Sequence, residues 1–516
     1  MRNPPVHLLL TNSLTHQLMN MTELIPKGSI VEQVCAFLRA RSVEVYLVGG
    51  CVRDWLLGRA SHDIDFAVAG DAVKLARQVA DRMGGAFVLL DQERGTARVV
   101  TRGEDGGQRL FIDFARLQGE DIITDLSKRD FTVNAIAVAV ADAESLSHVI
   151  DPYDGRRDVQ LGLVRAVSET AFQDDPLRTL RAVRIAAGMK DASIEQGTEE
   201  LLRRAVRLIT SVSAERVRDE LANILALPGA ARNLRYLDEL GLLTAIIPEL
   251  ETLKGVGQSE PHYLDVFDHS LEAVKRLEEV VEVLWGEEAD SALALIPLLL
   301  SPFSLQLIAH LSQPISDDRP RLTVLKLAAL LHDLGKPVTK SIDDEGGIHF
   351  YGHEREGAVA AGTILRRLRF GGREVSLAKT IVANHMRPCL LADQDVVTRR
   401  AVYRFFRDTG DAGVDTLLLY LADHLATWGL HLKVARWRRR VGFVASMLAD
   451  YYERHQKVIS PPKLISGYDL MEGFGLGEGP RLGELLETVR EAQVEGEVRT
   501  SEEALALVKG LLTQET

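Results

Sequence analysis

The sequence predicts an α+β multidomain protein in which a small mixed α/β head is followed by a body of helices. The length of 516 residues corresponds to roughly three to four domains of about 150 residues each. Hydrophobic residues make up 46% and charged residues 26% of the chain, as in globular proteins. Strand and helix patterns alternate up to about residue 165, and helical periodicity prevails from there to the end.

Charge and cysteine content exclude several classes of protein. Because 74 acidic and 61 basic residues leave a net charge of −13, a polynucleotide would have to bind at local basic patches. The three cysteines, Cys35, Cys51 and Cys389, are an odd number and lack metal-ligand spacing, so neither a disulfide framework nor a zinc finger is supported. The apolar run at 292–300 contains Pro297 and is shorter than the ~20 residues of a membrane span. We therefore expect a cytoplasmic protein with no membrane partner, whose oligomeric state stays open.

The elements of the head follow an N-terminal extension at residues 1–28 and occupy residues 29–165. A helix begins at Ser29, because Ser29 and Glu32 have the spacing of a capping box. A longer helix ends at Gly84, since glycine readily adopts the left-handed conformation of a C-terminal cap. Strands are predicted at residues 43–48, 63–68, 86–90, 96–101 and 109–114, the last two as a hairpin across residues 104–107.

Two aspartates lie on one face of the strand at 63–68. Successive side chains of a strand point to opposite faces, so Asp63 and Asp65 project together, roughly 6–7 Å apart. Carboxylates this close repel one another unless a cation lies between them, as Mg²⁺ does in nucleoside triphosphate chemistry. Asp113 has the same kind of position on the strand at 109–114. For any one of these aspartates, a solvated strand face is the alternative.

A glycine turn precedes this strand. Gly49 and Gly50 open a short helix, where bare backbone N–H groups can bind phosphate, and Arg53 adds positive charge. Such a turn is weak evidence by itself. The combination with an Asp-x-Asp pair within about 20 residues is far more specific.

Five segments in this order resemble the class II tRNA nucleotidyltransferases, the bacterial CCA-adding enzymes and their poly(A) polymerase relatives. The segments are LVGGCVRDWLLGR (47–59), DIDFAV (63–68), KRDFTVNAIAV (128–138), DPYDG (151–155) and DDPLRTLRAVR (174–184). The resemblance covers about residues 43–250 and implies a nucleotidyltransferase head like that of poly(A) polymerases. It further implies a helical neck at 166–250 for base selection and RNA binding. The implied substrates are ATP, CTP and the tRNA 3′ end.

The resemblance also implies roles for single residues. Asp63 and Asp65 would hold catalytic Mg²⁺, and Asp113 would be the third catalytic carboxylate, near the attacking 3′-hydroxyl. The implied nucleotide-binding residues are Gly50, Arg53, Arg129, Asp175, Arg178, Arg181 and Arg184.

The neck arginines recur with helical spacing. Asp175 and the proline after it have the form of a helix start, and Arg178, Arg181 and Arg184 then form one tilted stripe. An arginine donates two parallel hydrogen bonds and an aspartate accepts, so the pair can match a Watson–Crick edge without a template. In the resembled family, the residues matching Asp175 and Arg178 select CTP and then ATP. The family's usual Glu-Asp pair is here Asp-Asp, which keeps the second acid; a solvated arginine face is the alternative.

A second candidate metal site lies in the middle of the chain. His332 and Asp333 are adjacent at the end of an apolar helix, where imidazole nitrogens can ligate a metal and a carboxylate can bridge two. A larger ordered set resembles the HD superfamily of metal-dependent phosphohydrolases: His269, His332, Asp333, Asp423 and the binuclear ligands His353 and His385. This resemblance implies an HD domain at 251–455 and a transition metal (Ni, Mn, Co or Fe). A buried structural histidine is the alternative for any single member.

Two further segments complete the body. Residues 424–449 contain no acidic residue, and their arginines and lysine lie among two tryptophans. Such a stretch is typical of a phosphate-tracking surface, and a plain basic helix face is the alternative. Residues 456–516 form an acidic helical tail that resembles the C-terminal extension of HD-bearing nucleotidyltransferases.

The leading interpretation is template-independent addition of C and/or A residues to the tRNA 3′ end. An A-adding enzyme or a poly(A) polymerase is the near alternative, and the loop around residues 92–108 is the expected discriminating element. An HD phosphohydrolase that uses the head as an RNA-binding module is an alternative of another class. Against it, the head retains all three carboxylates.

Overall fold

The computed structural model describes residue 25 and residues 29–102, 109–143, 148–288, 292–316 and 319–514. The chain divides into two compact units, Met1–Arg178 with Met189–Leu202, and Thr179–Gly188 with Arg203–Thr516. The predicted hairpin turn at 104–107, and all of the predicted extension at 1–28 but residue 25, lie outside the described residues.

The first unit is built on a seven-stranded mixed sheet. Its strands are β1 Val45–Val48, β2 Asp63–Val68, β3 Ala86–Asp91, β4 Thr96–Arg102, β5 Arg109–Arg116, β6 Ala137–Ala139 and β7 Val149–Ile150. Their order is β3-β4-β5-β2-β1-β6-β7, and only β2 and β5 pair in parallel among these neighbours. All five predicted strands are present. A short parallel pair, β8 Leu163–Val164 and β9 Ser193–Ile194, lies outside this sheet.

Helices cover the sheet and connect its strands. They are α1 Ile30–Arg39, α2 Gly50–Leu56, α3 Ala72–Met83, α4 Ile122–Ser127, α5 Gly155–Leu161 and α6 Ala171–Asp174. The side chain of Ser29 caps α1 by accepting a hydrogen bond from the backbone N–H of Glu32, as predicted. Gly84 ends α3 in the left-handed conformation, also as predicted.

The two parallel strands contribute buried apolar side chains to the hydrophobic core on one face of the sheet. Ile64 and Phe66 of β2 and Ile112 and Phe114 of β5 are buried. The rings of Phe66 and Phe114 stack with their centroids 5.0 Å apart. Because successive side chains of a strand point to opposite faces, Asp65 of β2 and Asp113 of β5 lie on the other face of the sheet.

The second unit is mostly helical, which confirms the predicted α+β multidomain fold. Two helices, α7 Arg178–Gly188 and α8 Gln196–Ala205, include residues of both units. The next helices are α9 Ala214–Ala226, α10 Ala230–Glu239, α11 Leu242–Ile246, α12 Val266–Leu284, α13 Leu295–Leu300, α14 Ser304–Ser312, α15 Arg321–Leu331, α16 Lys336–Thr339 and α17 His353–Arg367. The remaining helices are α18 Gly372–Asn384, α19 Arg387–Ala392, α20 Arg399–Thr409, α21 Ala412–Trp428, α22 Val434–Tyr452, α23 Gly467–Phe474, α24 Pro480–Glu495 and α25 Ser501–Gln514. Two short antiparallel pairs, β10 Pro314–Ser316 with β11 Arg319–Pro320 and β12 Lys340–Ile342 with β13 Ile348–Phe350, interrupt them.

A central helix organises this unit. Ten of the eleven residues of α15 are buried, so this helix is covered on all sides, and it packs against α12, α18 and α21. The C-terminal helices α23, α24 and α25 share an apolar cluster of their own, which includes Leu470, Leu485 and Val508.

One apolar stretch is longer than the sequence pattern indicated. Leu295–Ser312, which joins α13 and α14 through a 3-10 turn at Ser301–Phe303, reaches a mean hydropathy of 1.5 over 18 residues. By length and composition alone this stretch could cross a membrane. A single stretch of this kind is weak evidence for a span, because core helices of soluble proteins have the same length and composition.

Candidate functional site

The parallel pairing of β2 and β5 brings the three predicted carboxylates together. Asp65 of β2 lies directly opposite Asp113 of β5, and Asp63 lies two residues earlier on the same face of β2. Asp63 is exposed, and Asp65 and Asp113 are half-buried, so the group lies at the surface of the head. Oxygen ligands of this kind suit Mg²⁺.

An arginine that sequence analysis missed completes this group. Arg98 of β4 lies opposite Asp113 and donates two hydrogen bonds to it, Nε to Oδ1 at 2.7 Å and Nη2 to Oδ2 at 2.8 Å. The pKa of Arg98 is raised mainly by these hydrogen bonds and further by the charges of Asp63 and Asp65. The guanidinium thus holds one carboxylate in a fixed orientation and offsets part of the charge of all three.

The glycine turn lies beside these carboxylates. Gly49 has a positive φ of 78°, and a side chain there would come within 3.2 Å of Asp65 Oδ2 and 3.1 Å of Arg129 Nη1. At Gly50 an added Cβ would make only an ordinary contact at 3.6 Å with Arg53. The positive φ therefore favours glycine at position 49, and the nucleotide-binding role predicted for Gly50 stays a prediction.

Two predicted nucleotide-binding arginines are held near this turn by neighbours in the head. Arg53 donates from Nη1 to Asn134 Oδ1 at 2.8 Å, and Asn134 in turn donates to buried Asp130 at 3.1 Å. Arg129 donates from Nε and Nη2 to Asp125 Oδ2 at 3.2 and 3.1 Å. Arginines restrained in this way lose less side-chain entropy when they bind an anion.

The neck helix has the aspartate cap that the sequence pattern predicts, and regular α-helix follows from Arg178. Asp175 is extended and accepts a hydrogen bond from the backbone N–H of Leu177, and α7 begins at Arg178. Arg178 donates from Nη2 to Lys128 O at 2.6 Å, within the first unit. Arg181 and Arg184 follow on α7 in the second unit, where Arg184 Nε donates to Glu220 Oε2 at 2.6 Å.

The second unit gathers all six predicted HD residues. Asp333 follows α15 and lies between four histidines, with its oxygens 3.2 to 3.8 Å from their Nε2 atoms. His269 Nε2 also lies 2.9 Å from Asp423 Oδ1. Two overlapping groups have the geometry to hold a metal ion and share Asp333: His269, His332 and Asp333, and Asp333, His353 and His385. The shared carboxylate suits a bridge between two ions.

Three of these histidines present the same ring nitrogen to the centre. The Nδ1 atoms of His332, His353 and His385 each lie 2.7 Å from the carbonyl oxygen of the residue three positions earlier. These contacts assign the proton to Nδ1 and leave the Nε2 lone pairs for a metal. Burial also lowers the pKa of His385 to about 3, so this imidazole is neutral near pH 7.

A lysine that sequence analysis missed also reaches the centre. Lys336, buried at the start of α16, places Nζ 2.7 Å from Asp333 Oδ2 and donates to Gln258 Oε1 at 2.6 Å. Its position three residues after Asp333 was the only signal in the sequence. Although burial opposes ionisation, the neighbouring His332 and the ammonium of Lys336 hold the pKa of Asp333 well below its usual value.

Comparison with known proteins assigns most of the chain to known domains. Residues 45–165 match the Poly A polymerase head domain, 192–254 the probable RNA and SrmB-binding site of polymerase A, 266–428 the HD domain, and 392–508 the putative tRNA nucleotidyltransferase domain 2. The A-adding tRNA nucleotidyltransferase of Deinococcus radiodurans is 36% identical over 90% of this chain and 94% of its own. The chain belongs to the tRNA nucleotidyltransferase family.

Other members support the same assignment. The CC-adding tRNA nucleotidyltransferase of Thermus thermophilus is 34% identical over 90% of this chain and 93% of its own. A solved CCA-adding enzyme in complex with CTP covers 96% of this chain and 97% of its own, with a TM-score of 0.60 and 22% identity. This likeness concerns the fold. The predicted family, the predicted fold class and the prediction of an enzyme are confirmed.

Proposed function

We propose that this nucleotidyltransferase adds C and/or A residues to the 3′ end of tRNA without a nucleic-acid template. The observation that carries the proposal is the direct pairing of Asp65 with Asp113 across β2 and β5, with Asp63 on the same face. Mg²⁺ held by Asp63 and Asp65 would neutralise the charge that develops on the triphosphate. Asp113, oriented by Arg98, would lie near the attacking 3′-hydroxyl.

The glycine turn and its arginines would bind the nucleotide in this proposal. The side-chain-free backbone at Gly49 lets a phosphate approach between Asp65 and Arg129. Arg53 and Arg129 supply positive charge from positions that Asn134 and Asp125 already restrain. The triphosphate would thus be bound on the side of the turn that faces the carboxylates.

The choice between C and A is the finer part of the proposal. The relatives include an A-adding enzyme at 36% and a CC-adding enzyme at 34% identity, two values too close to decide between them. The test offers tRNAs that lack one, two or three nucleotides of the CCA end, each with labelled CTP or ATP, and sizes the products. Extension of none of these tRNAs would refute the proposal, whereas unlimited ATP addition would indicate a poly(A) polymerase.

Replacing Arg178 with alanine is expected to damage nucleotide discrimination more than triphosphate binding. The Arg178 guanidinium is oriented by hydrogen bonds that it donates to Lys128 O at 2.6 Å and to Ala171 O at 3.3 Å. Loss of a bidentate donor to a base costs ~1–3 kcal/mol of base discrimination. The measurement is kcat/KM for all four triphosphates, with Arg157→Ala, which removes an exposed arginine of the head, as the matched control. If UTP and GTP stay as strongly rejected as in the wild type, base selection belongs to other residues.

We propose a second activity for the HD centre, hydrolysis of a phosphoester in the presence of a transition metal. The observation that favours it is the pair of buried ligand groups that share Asp333, with three Nε2 atoms oriented by backbone carbonyls. Imidazole-rich ligand sets suit Ni²⁺, Mn²⁺, Co²⁺ or Fe better than Mg²⁺. A 2′,3′-cyclic phosphate at a damaged RNA end is the proposed substrate. Attack of water on phosphorus with cleavage of the 3′ P–O bond would leave a 2′-phosphomonoester and free the 3′-hydroxyl that the head extends.

A further inference from the structure

Several buried polar atoms without a hydrogen-bond partner lie together in the HD region. They are Tyr420 Oη and His424 Nε2 on α21, and Arg436 Nε with Nε and Nη1 of Arg440 on α22. Tyr420 and His424 are one helical turn apart, and their ring centroids are separated by 6.2 Å. Arg436 and Arg440 are also four residues apart and therefore lie on neighbouring turns of α22. The ring of Trp437 on α22 stacks on His424 at 5.8 Å and joins the two helices.

Arg440 is the member with the most unused donors. Its side chain is fully buried, and only Nη2 has a partner, the carboxylate of Asp393. The guanidinium is always charged, and its Nε and Nη1 carry N–H groups that require acceptors. Buried charged donors are expensive to leave without acceptors, so this cluster needs an acceptor from outside the protein chain, either a ligand or bound water.

The chemistry of the cluster favours a phosphate as that group. Burial raises the pKa of the Tyr420 phenol, which therefore stays protonated and donates. Arg436 adds a second positive charge and is held in place by the ring of Trp428, 4.5 Å from its guanidinium. One of the two arginine charges is offset by Asp393, and the other remains for an anion. Several phosphate oxygens can accept from a guanidinium fork and a hydroxyl together.

The cluster is contiguous with the HD centre. Asp423, a candidate metal ligand, directly precedes His424 and follows Tyr420 by three residues on α21. The edge of the cluster reaches the protein surface, because the Asp393 side chain is 52% exposed and Arg436 is half-buried. A ligand bound here would lie within about one helical turn of the candidate metals.

We propose that Tyr420, Arg436 and Arg440 form a subsite for the phosphodiester that precedes the terminal phosphate of an RNA 3′ end bound at the HD centre. The identity of the substrate rests on the proposed phosphohydrolase activity, whereas phosphate binding by the cluster does not. The subsite would make the HD centre prefer a polynucleotide end to a free cyclic nucleotide. Of the basic residues of α22, Arg440 and Arg436 would serve it, while Arg438 and Arg439 point to solvent and are exposed.

The kinetic test compares two substrates of the Mn²⁺-loaded or Ni²⁺-loaded full chain. One is 2′,3′-cyclic AMP, and the other is an RNA dinucleotide that ends in a 2′,3′-cyclic phosphate and so carries one further phosphodiester. In Tyr420→Phe and Arg440→Gln, the ratio of kcat/KM for the dinucleotide to kcat/KM for the mononucleotide is expected to fall about tenfold. Arg439→Gln removes an exposed charge from the same helix and is expected to leave the ratio unchanged.

A binding test separates the subsite from the hydrolase activity. Inorganic phosphate is titrated into metal-free protein that carries both Trp55→Phe and Trp285→Phe, so that only Trp428 and Trp437 report on the cluster by fluorescence. A saturable response that is lost in Tyr420→Phe, which keeps the ring and its packing, and in Arg440→Gln supports the subsite. This holds even if the wild type cleaves neither substrate, in which case only the hydrolase proposal fails. Absence of a saturable response together with an unchanged substrate ratio would overturn the subsite and assign the donors to bound water.

Discussion

Replacing Asp65 with asparagine is expected to lower nucleotide addition at least 100-fold without unfolding the protein. Asp65 is the central carboxylate of the head, since it shares a strand face with Asp63 and pairs directly with Asp113. Phosphoryl transfer relies on electrostatic stabilisation by such metal ligands, and a 100-fold loss corresponds to ~3 kcal/mol of transition-state stabilisation. The measurement is the initial rate of CTP and ATP incorporation into tRNA that lacks its CCA end.

Stability gives an independent readout of the same variant. Removing one of three neighbouring negative charges relieves repulsion, so the melting temperature of Asp65→Asn is expected to stay at or above the wild-type value. Asp81→Asn, which neutralises an exposed carboxylate on α3, is the matched control and is expected to keep full activity. Activity above about 1% of wild type in a folded Asp65→Asn protein would contradict the assignment of this carboxylate to the metal.

The face of each strand could be predicted from sequence, but the contacts between strands could not. The alternation in residues 63–68 correctly separated Asp63 and Asp65 from the core residues Ile64 and Phe66. The pairing of Asp65 with Asp113 depends on a parallel register between strands 48 positions apart, which alternation does not encode. The contact of Arg98 with Asp113 could not be predicted either, because it depends on the pairing of β4 with β5, which the local sequence does not encode.

Backbone detail could be predicted from sequence at one turn and not at another. A proline after an aspartate favours a helix start, and Asp175 is extended and accepts a hydrogen bond from Leu177 N as a helix cap does. Of Gly49 and Gly50, only Gly49 has a positive φ, which strains any other residue. Adjacent glycines are equivalent in sequence, and the fold distinguishes them.

The HD residues were found in sequence through their order, and their geometry adds a role for a neighbour. They come from α12, α17 and α21 and from the turns that follow α15 and α18, so no local pattern brings them together. Lys336 contacts the shared carboxylate at 2.7 Å, and its positive charge compensates the buried negative charge. A metal that binds Asp333 would have to compete with this ammonium.

Replacing Asp333 with asparagine is expected to abolish metal binding and phosphoester hydrolysis at the HD centre while nucleotide addition continues. Asp333 is the only residue common to both ligand groups within the described part of the chain, so its loss impairs both ions. The measurements are metal content by elemental analysis and hydrolysis of 2′,3′-cyclic nucleotides. Hydrolysis is expected to fall at least 100-fold, because the metal supplies both the nucleophile and the charge stabilisation.

Matched variants separate loss of metal from loss of fold. Asp333→Asn leaves Lys336 buried beside a neutral amide, and an uncompensated buried charge costs ~3–5 kcal/mol, so its melting temperature is expected to fall. His385→Ala removes a ligand of only one group and creates no unpaired charge, since burial keeps this imidazole neutral. Its metal content is expected to fall by about half with a smaller change in stability.

Asp65→Asn supplies the reciprocal control, because it should lose nucleotide addition and keep hydrolysis. If folded wild-type protein retains no transition metal and cleaves no cyclic nucleotide, the buried cluster is structural, and Asp333→Asn would change stability alone.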